Sequence, residues 1–276
     1  MISCKLVGGL GNQLFIIFAC ISYSIIHKQK YFFEDTTLTI GMTRRNTYWK
    51  TLFNKLLPYL LKKDDFPCLD IILKENNYFI NFMENKNIIL CDYFQSDKYF
   101  KNNYSTIIQL LDIENKKKTL LLENKFYSQK MIEKCISIHF RIGDYVNIQD
   151  YHNILTIDYY KKALEYILLN INYNPIFLYF CEVQDTFTVN KMINYLKKDF
   201  PHCVFFKIND SLLDWEQLLL MSCCKHNIIG NSTFSWWGAY LNSYSEKIVC
   251  YPSTWFGPKN TYCIDDLFPS DWIKIT

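Results

Sequence analysis

The stretch ISCKLVGGLGNQLFIIFACISYSIIH, residues 2–27, decides the fold class. Its apolar opening, Ile2–Val7, predicts a strand, Gly8–Gly11 a tight turn, and the run that follows a helix through His27. Strand, glycine turn and helix in that order open an α/β domain. Glycines let the backbone turn sharply and approach a ligand, and the helix beyond them aims free N–H groups at it. Gly9, Gly11 and Asn12 are therefore candidate ligand-facing residues, with helix capping as the other role open to Asn12 and Gln13. The turn lacks the GxGxxG spacing of dinucleotide binders, and no GK[ST] follows it, which removes a P-loop ATPase from consideration.

The apolar run Leu14–Ile26 is too short to span a bilayer and has no small-residue cleavage site. It reads as a buried first helix, and neither a membrane span nor a signal peptide is expected. The Asn-x-Ser/Thr triplets at Asn103, Asn209 and Asn231 then carry no weight as glycosylation acceptors. With 276 residues, half of them hydrophobic and 21% charged, the chain has ample material for two packed domains. Thirty basic residues against 27 acidic ones leave a net charge of +3, which disfavours a nucleic-acid partner. The eleven cysteines are scattered without a CxxC pair, so zinc-ribbon and thioredoxin readings lose their signal. Cys4, Cys135 and Cys250 lie in apolar, strand-like runs and read as small buried hydrophobes of a cytoplasmic protein.

Residues 31–110 read as irregular and aromatic, with turn signals at Pro58 and Pro67. The polar run Asp112–Gln129, which carries Lys116–Lys118, marks the boundary between domains placed at 1–125 and 126–276. Beyond it, strands are predicted at Cys135–Phe140, Ile176–Phe180, Val204–Ile208, Asn227–Ile229 and Lys247–Tyr251. Helices are predicted at Asp158–Asn170, Val189–Lys198 and Asp214–Cys224, with a further turn at Asn231–Ser235 leading into Trp236–Leu241. Tyr159, Ala163, Tyr166 and Ile167 share one face of the first of these helices. This alternation predicts a parallel, doubly wound sheet.

Two further segments break their local pattern. In HFRIGDY, residues 139–145, an apolar strand ends in polar residues at the carboxyl edge where α/β sheets bind ligands. Arg141 offers a planar fork of donors suited to a phosphate pair, and Asp144 either holds it or faces the substrate. A structural Arg–Asp pair beside a satisfied core histidine is the competing reading. In GNSTFSWWG, residues 230–238, small hydroxyl residues between a strand and a helix supply N–H and O–H donors for an anion. Trp236 and Trp237 read as core anchors rather than base-stacking groups. No DxD triplet occurs to hold a metal.

Taken together, GGLGNQLF (8–15), HFRIGDY and NSTFSWWGAYL (231–241) resemble the α-1,2-fucosyltransferases of glycosyltransferase family 11. LCDYFQSDKYF (90–100), DYYKKAL (158–164), MSCCKHNIIGNS (221–232) and the closing WF and DW pairs agree, so the resemblance runs along nearly the whole chain. It implies a GT-B fold of two facing Rossmann-like domains, residues 1–125 on the acceptor side and 126–276 on the GDP-sugar side. The implied reaction moves L-fucose from GDP-fucose to the 2-hydroxyl of a terminal galactose in a glycan, with inversion and without a metal or other cofactor. By the same resemblance Arg141 grips the donor diphosphate, His139 contacts the nucleotide and Asn12 stands near the reacting centre. Gly9, Gly11, Asn231, Ser232, Thr233 and Ser235 complete the donor contacts. Asp144 is the first candidate for the base and Glu216 the second.

The chain departs from the family pattern in two places. Ile142 replaces a second arginine, as protein O-fucosyltransferases also tolerate. Cys181-Glu182-Val183 replaces a common Ser-Asp-Asp, so an acidic contact is not carried over. Two other readings are a related transferase using another GDP-sugar or a protein acceptor, and a non-catalytic nucleotide-sugar or glycan binder.

Overall fold

The computed structural model describes residues 1–41, 44–68, 70–74 and 86–276. The chain divides into two compact units, Met1–Lys116 with Asp265–Pro269, and Lys117–Ile264 with Ser270–Thr276.

The first unit carries strands β1 (Ile2–Cys4), β2 (Phe33–Glu34), β3 (Leu60–Leu61), β4 (Ile71–Leu73) and β5 (Ile88–Leu90), with helices α1 (Leu10–Ile26) and α2 (Tyr104–Leu110). Strand β5 lies between β1 and β4, all parallel, with Ile89 opposite both Ser3 and Ile72. Strands β2 and β3 form a separate parallel pair. The stretch 31–110 is thus not simply irregular: its described residues supply four strands. Each is two or three residues long, too short for a hydrophobic period to show. Residues 42, 43, 69 and 75–85 of that stretch lie outside the described residues.

Helix α1 is apolar almost all round, and such a helix must be covered on every side. Leu14 through Phe18 are fully buried, with Phe100 set against Phe15 and Phe18 at 6.1 and 5.3 Å between ring centroids. Among the described residues no helix is long and apolar enough to cross a membrane.

In the second half, α3 (Ile113–Glu123) occupies the polar run read as a boundary, and the division between units falls within it. Its Lys and Leu residues are good helix formers, and Lys117 is buried, donating to the Leu241 carbonyl at 2.6 Å. After α4 (Gln129–Ile132) come β6 (Cys135–His139), α5 (Ile157–Leu169), β7 (Ile176–Phe180), α6 (Thr186–Asp199) and β8 (Val204–Lys207). The chain then forms α7 (Asp214–Cys223), β9 (His226–Ile228), α8 (Thr233–Tyr240), β10 (Val249–Pro252) and β11 (Ile273–Ile275).

The six strands are parallel in the order β11-β10-β9-β6-β7-β8. Helices α5 and α6 cover one face through Tyr160, Leu164, Ile167, Val189 and Ile193, packed on Ile136, Ile138, Phe177 and Ile228. Residues 135, 137 and 139 point the other way by strand alternation. Buried Cys135 and Cys250 behave as core hydrophobes, their thiols pushed up to about 12 by burial.

Several details differ from the sequence reading, among them helix α6, which begins at Thr186 rather than Val189. Strand β11 was not foreseen, because three residues at the chain's end carry no period. Helix α8 starts at Thr233, so Thr233 and Ser235 lie in a helix rather than a turn. Trp236 and Trp237 are fully buried, in line with their reading as core anchors.

Candidate functional site

Strand order reverses between β6 and β9, and in open α/β sheets the crevice at such a switch point is where ligands bind. The loops that leave the carboxyl ends of these two strands are HFRIGDY and GNSTF, so the sheet itself brings together two segments 90 residues apart in the chain. His139 closes β6, buried to 8% exposure, with its Nδ1 hydrogen-bonded to the Ser235 hydroxyl at 2.9 Å.

Arg141 follows at the sheet edge. Its guanidinium donates to the carboxylates of Asp144 and Glu182 and lies over the Tyr145 ring, 4.6 Å from the centroid. The arginine side chain is 16% exposed against 49% and 48% for its partners, a sheltered cation with half-exposed counter-charges. Burial works against that cation, and Tyr145, Asp144 and Glu182 more than offset it, so the guanidinium pKa is raised further. The Tyr145 hydroxyl donates to the Asn231 carbonyl at 3.2 Å and its ring stacks on His152 at 4.6 Å. Gly143 turns the loop in the left-handed region, φ +38, and its N–H donates to the Asp185 carboxylate at 2.8 Å. A side chain at Gly143 would sit 2.8 Å from the Arg141 guanidinium and 2.9 Å from the Glu182 carboxylate.

Along the second segment, Asn231 is buried and its amide N–H₂ donates to the carbonyls of Asn153 at 2.8 Å and Trp255 at 3.1 Å. The Ser232 hydroxyl caps α8 by accepting from the Phe234 N–H at 3.3 Å. The structure therefore gathers His139, Arg141, Asp144, Asn231, Ser232, Thr233 and Ser235 at one sheet edge. Within that group, Asn231 and Ser235 face inward to other protein groups, while Ser232 and Thr233 start the helix.

Gly9, Gly11 and Asn12 belong to the first unit. Gly9 is the N-cap of α1, and the first helical bond runs from the Gln13 N–H to the Gly9 carbonyl at 3.0 Å. The N–H groups of Leu10, Gly11 and Asn12 precede that bond, as at any helix start. Neither Asn12 nor Gln13 caps the helix: the Asn12 side-chain oxygen Oδ1 accepts from the Gln95 side-chain amide at 3.1 Å, and the Gln13 side-chain amide donates to the Gly8 and Asn46 backbone carbonyls at 3.2 and 2.9 Å. Gly8 takes φ +74, and a Cβ there would strike the Asn12 amide. Glu216 accepts from the Leu213 N–H at 2.7 Å and so braces the start of α7.

Glu182, Tyr145 and Asp185 are the site residues that sequence reasoning passed over. Glu182 was noted only as a departure, yet it supplies an acidic contact to Arg141. The signal lay in register: His139 pairs with Phe180, so residues 141 and 182 leave adjacent strands at the same height.

Burial, reinforced by the Arg141 charge, lowers the His139 pKa to about 3 from an ordinary 6.5. Between those values the unfolded chain takes up a proton that the folded chain refuses. The stability this neutral imidazole contributes is complete above the ordinary value and drains away as pH falls toward the folded one. By about pH 4 the loss is on the order of 3 kcal/mol. Urea midpoints measured near neutrality and near about pH 4 should drop further for the wild type than for His139→Gln; equal drops would show that His139 does not set this dependence.

The sequence profile of glycosyl transferase family 11 matches residues 70–276. The O-antigen biosynthesis glycosyltransferase WbnK of Escherichia coli is 27% identical over an alignment covering 100% of both chains. The alpha-1,2-colitosyltransferase of Escherichia coli is 26% identical, covering 98% of this chain and 97% of its own. Among solved structures, a mutant of Arabidopsis thaliana FUT1 in complex with GDP superposes with a TM-score of 0.52 at 10% identity, over 90% of this chain and 69% of that one. That likeness, with the Rossmann strand order of the six-stranded sheet, identifies the fold as GT-B.

Proposed function

The chain belongs to glycosyl transferase family 11, and from that premise we propose that it transfers L-fucose from GDP-fucose to the 2-hydroxyl of a terminal galactose in a glycan. The observation that carries the proposal is the sheltered Arg141 cation at the switch point of the sheet, backed by the Tyr145 ring.

In this reaction the bond between the fucose anomeric carbon and the β-phosphate oxygen breaks, and the electron pair leaves with GDP. The galactose O2 attacks the opposite face, which inverts the centre, and its proton passes to a base. Negative charge builds on the diphosphate and positive charge on the sugar ring. Arg141 supplies fixed positive charge to the diphosphate, and the N–H groups at the start of α8, beside Ser232 and Thr233, add dipolar support. A guanidinium has five N–H donors, and its two carboxylate partners are half-exposed, so a diphosphate has donors to recruit. His139, held neutral by burial, adds no charge and its ring packs on Phe234. Asp144, beside Arg141, is the proposed base. Asn12 and the glycine turn are proposed to serve the reacting centre and the donor from the first unit. The transfer is proposed to run without a metal.

A second reading keeps the α-1,2 linkage and changes the sugar, because one relative is named for α-1,2 transfer of colitose. Incubation with GDP-fucose and lactose, with NMR of the product, tests both. A fucosyl-lactose linked at the galactose 2-position is expected. A product formed only with another GDP-sugar would shift the proposal to the second reading. GDP-sugar binding with no transfer to any galactoside would overturn the galactoside reaction.

A further inference from the structure

Asp185 ends a short 3-10 turn, Val183–Asp185, that runs directly into α6; its backbone is helical, φ −88 and ψ −7, and its side chain makes no bond to the first turn of that helix. Its carboxylate instead accepts the Gly143 N–H at 2.8 Å, from 42 residues away. Its own backbone N–H donates to the Glu182 carbonyl at 2.9 Å. One buried residue thus ties together the loop that carries Arg141 and Asp144 and the turn that carries Glu182. We propose that Asp185 is a positioning residue that sets the Arg141 guanidinium for the donor diphosphate; this rests on the reading of Arg141 given above.

The physical case has three parts. A carboxylate on a residue only 8% exposed requires donors, and the Gly143 N–H supplies one. The helix behind Asp185 is anchored, since Val189, Ile193 and Leu196 are buried in the core against the sheet, so the residue is a fixed point rather than a loop tip. The group it holds lies next to the guanidinium. Gly143 sits at φ +38 directly against Arg141 and Glu182, and freeing its N–H lets that peptide rotate and carry the guanidinium with it. Misplacing a substrate-holding group by about an ångström costs on the order of 100-fold in rate.

Two variants of the chain separate the bond to Gly143 from the mere loss of the carboxylate. Asp185→Ser keeps a small polar side chain that is too short to reach the Gly143 N–H. Asp185→Asn keeps a carbonyl oxygen that can accept the Gly143 N–H. Three measurements are made: titration with GDP, kcat and KM with GDP-fucose and lactose, and hydrogen exchange of the peptide containing Gly143. Asp185→Ser should weaken GDP binding and lower kcat by roughly tenfold or more and expose the Gly143 amide to exchange, with Asp185→Asn within about threefold of wild type. Wild-type GDP affinity and turnover in Asp185→Ser would overturn the positioning role and leave the reading of Arg141 standing, as would equal losses in both variants with the Gly143 amide still protected. Failure of the wild type to bind GDP would overturn the reading of Arg141 itself.

Discussion

Replacing Arg141 with alanine leaves a folded protein whose transfer of fucose falls by at least ~100-fold, the cost of losing one preorganised donor to a developing charge, ~2.7–4 kcal/mol of barrier. The protein should stay folded because the two carboxylates left behind, Asp144 and Glu182, are each about half exposed, so water can hydrate them. No deeply buried charge is stranded. The loop keeps its other ties, the Gly143–Asp185 bond and the Tyr145–Asn231 bond. Arg141→Lys should recover only part of the rate, since an ammonium retains the charge but not the planar fork. The check is a single-turnover rate with GDP-fucose and lactose beside a thermal melt. Near-normal turnover in the alanine variant would remove Arg141 from the chemistry, and a collapsed melt would make it a structural residue.

Trp236→Ala should act the opposite way, by destabilising the fold without touching the donor-binding chemistry. Trp236 is fully buried, its ring 5.2 Å from Trp237, 4.6 Å from Tyr240 and 5.4 Å from Trp272 between centroids. Truncation deletes the shared wall of that cluster, and such substitutions cost about 3–5 kcal/mol. Against a typical total of about 5–15 kcal/mol, that is a large share of the native stability. A urea titration reads it directly. A midpoint unchanged from wild type would mean that the ring is not a core anchor, and the aromatic pair would then need a role at the ligand. The two variants together divide one short stretch of sheet edge into a group for chemistry and a group for packing.

The strands and helices between Cys135 and Cys223 were legible because each runs long enough to show its period, whereas the three residues of β11 do not. Ile176–Phe180 was read with the bounds it has, and Asp214–Cys224 differs from the observed helix by one residue. The first unit was not legible beyond its opening, since strands such as Phe33–Glu34 and Leu60–Leu61 owe their existence to pairing with distant partners. At the site, Arg141 announced itself as a charge at the end of an apolar strand. Asp185 did not, because the helix beyond it was read from Val189, and only the folded chain shows that its carboxylate reaches Gly143.

The sequence by itself determined the α/β class, the parallel order of strand and helix in the second unit, and the family, because hydrophobic period and motif order are local properties of the chain. Tertiary structure alone decided that Glu182 faces Arg141, that Ser235 bonds His139, and that Gly143 hangs from Asp185. Those pairings join residues tens of positions apart. They exist only because β6 lies between β7 and β9 in the sheet, which delivers their loops to one edge at matching heights.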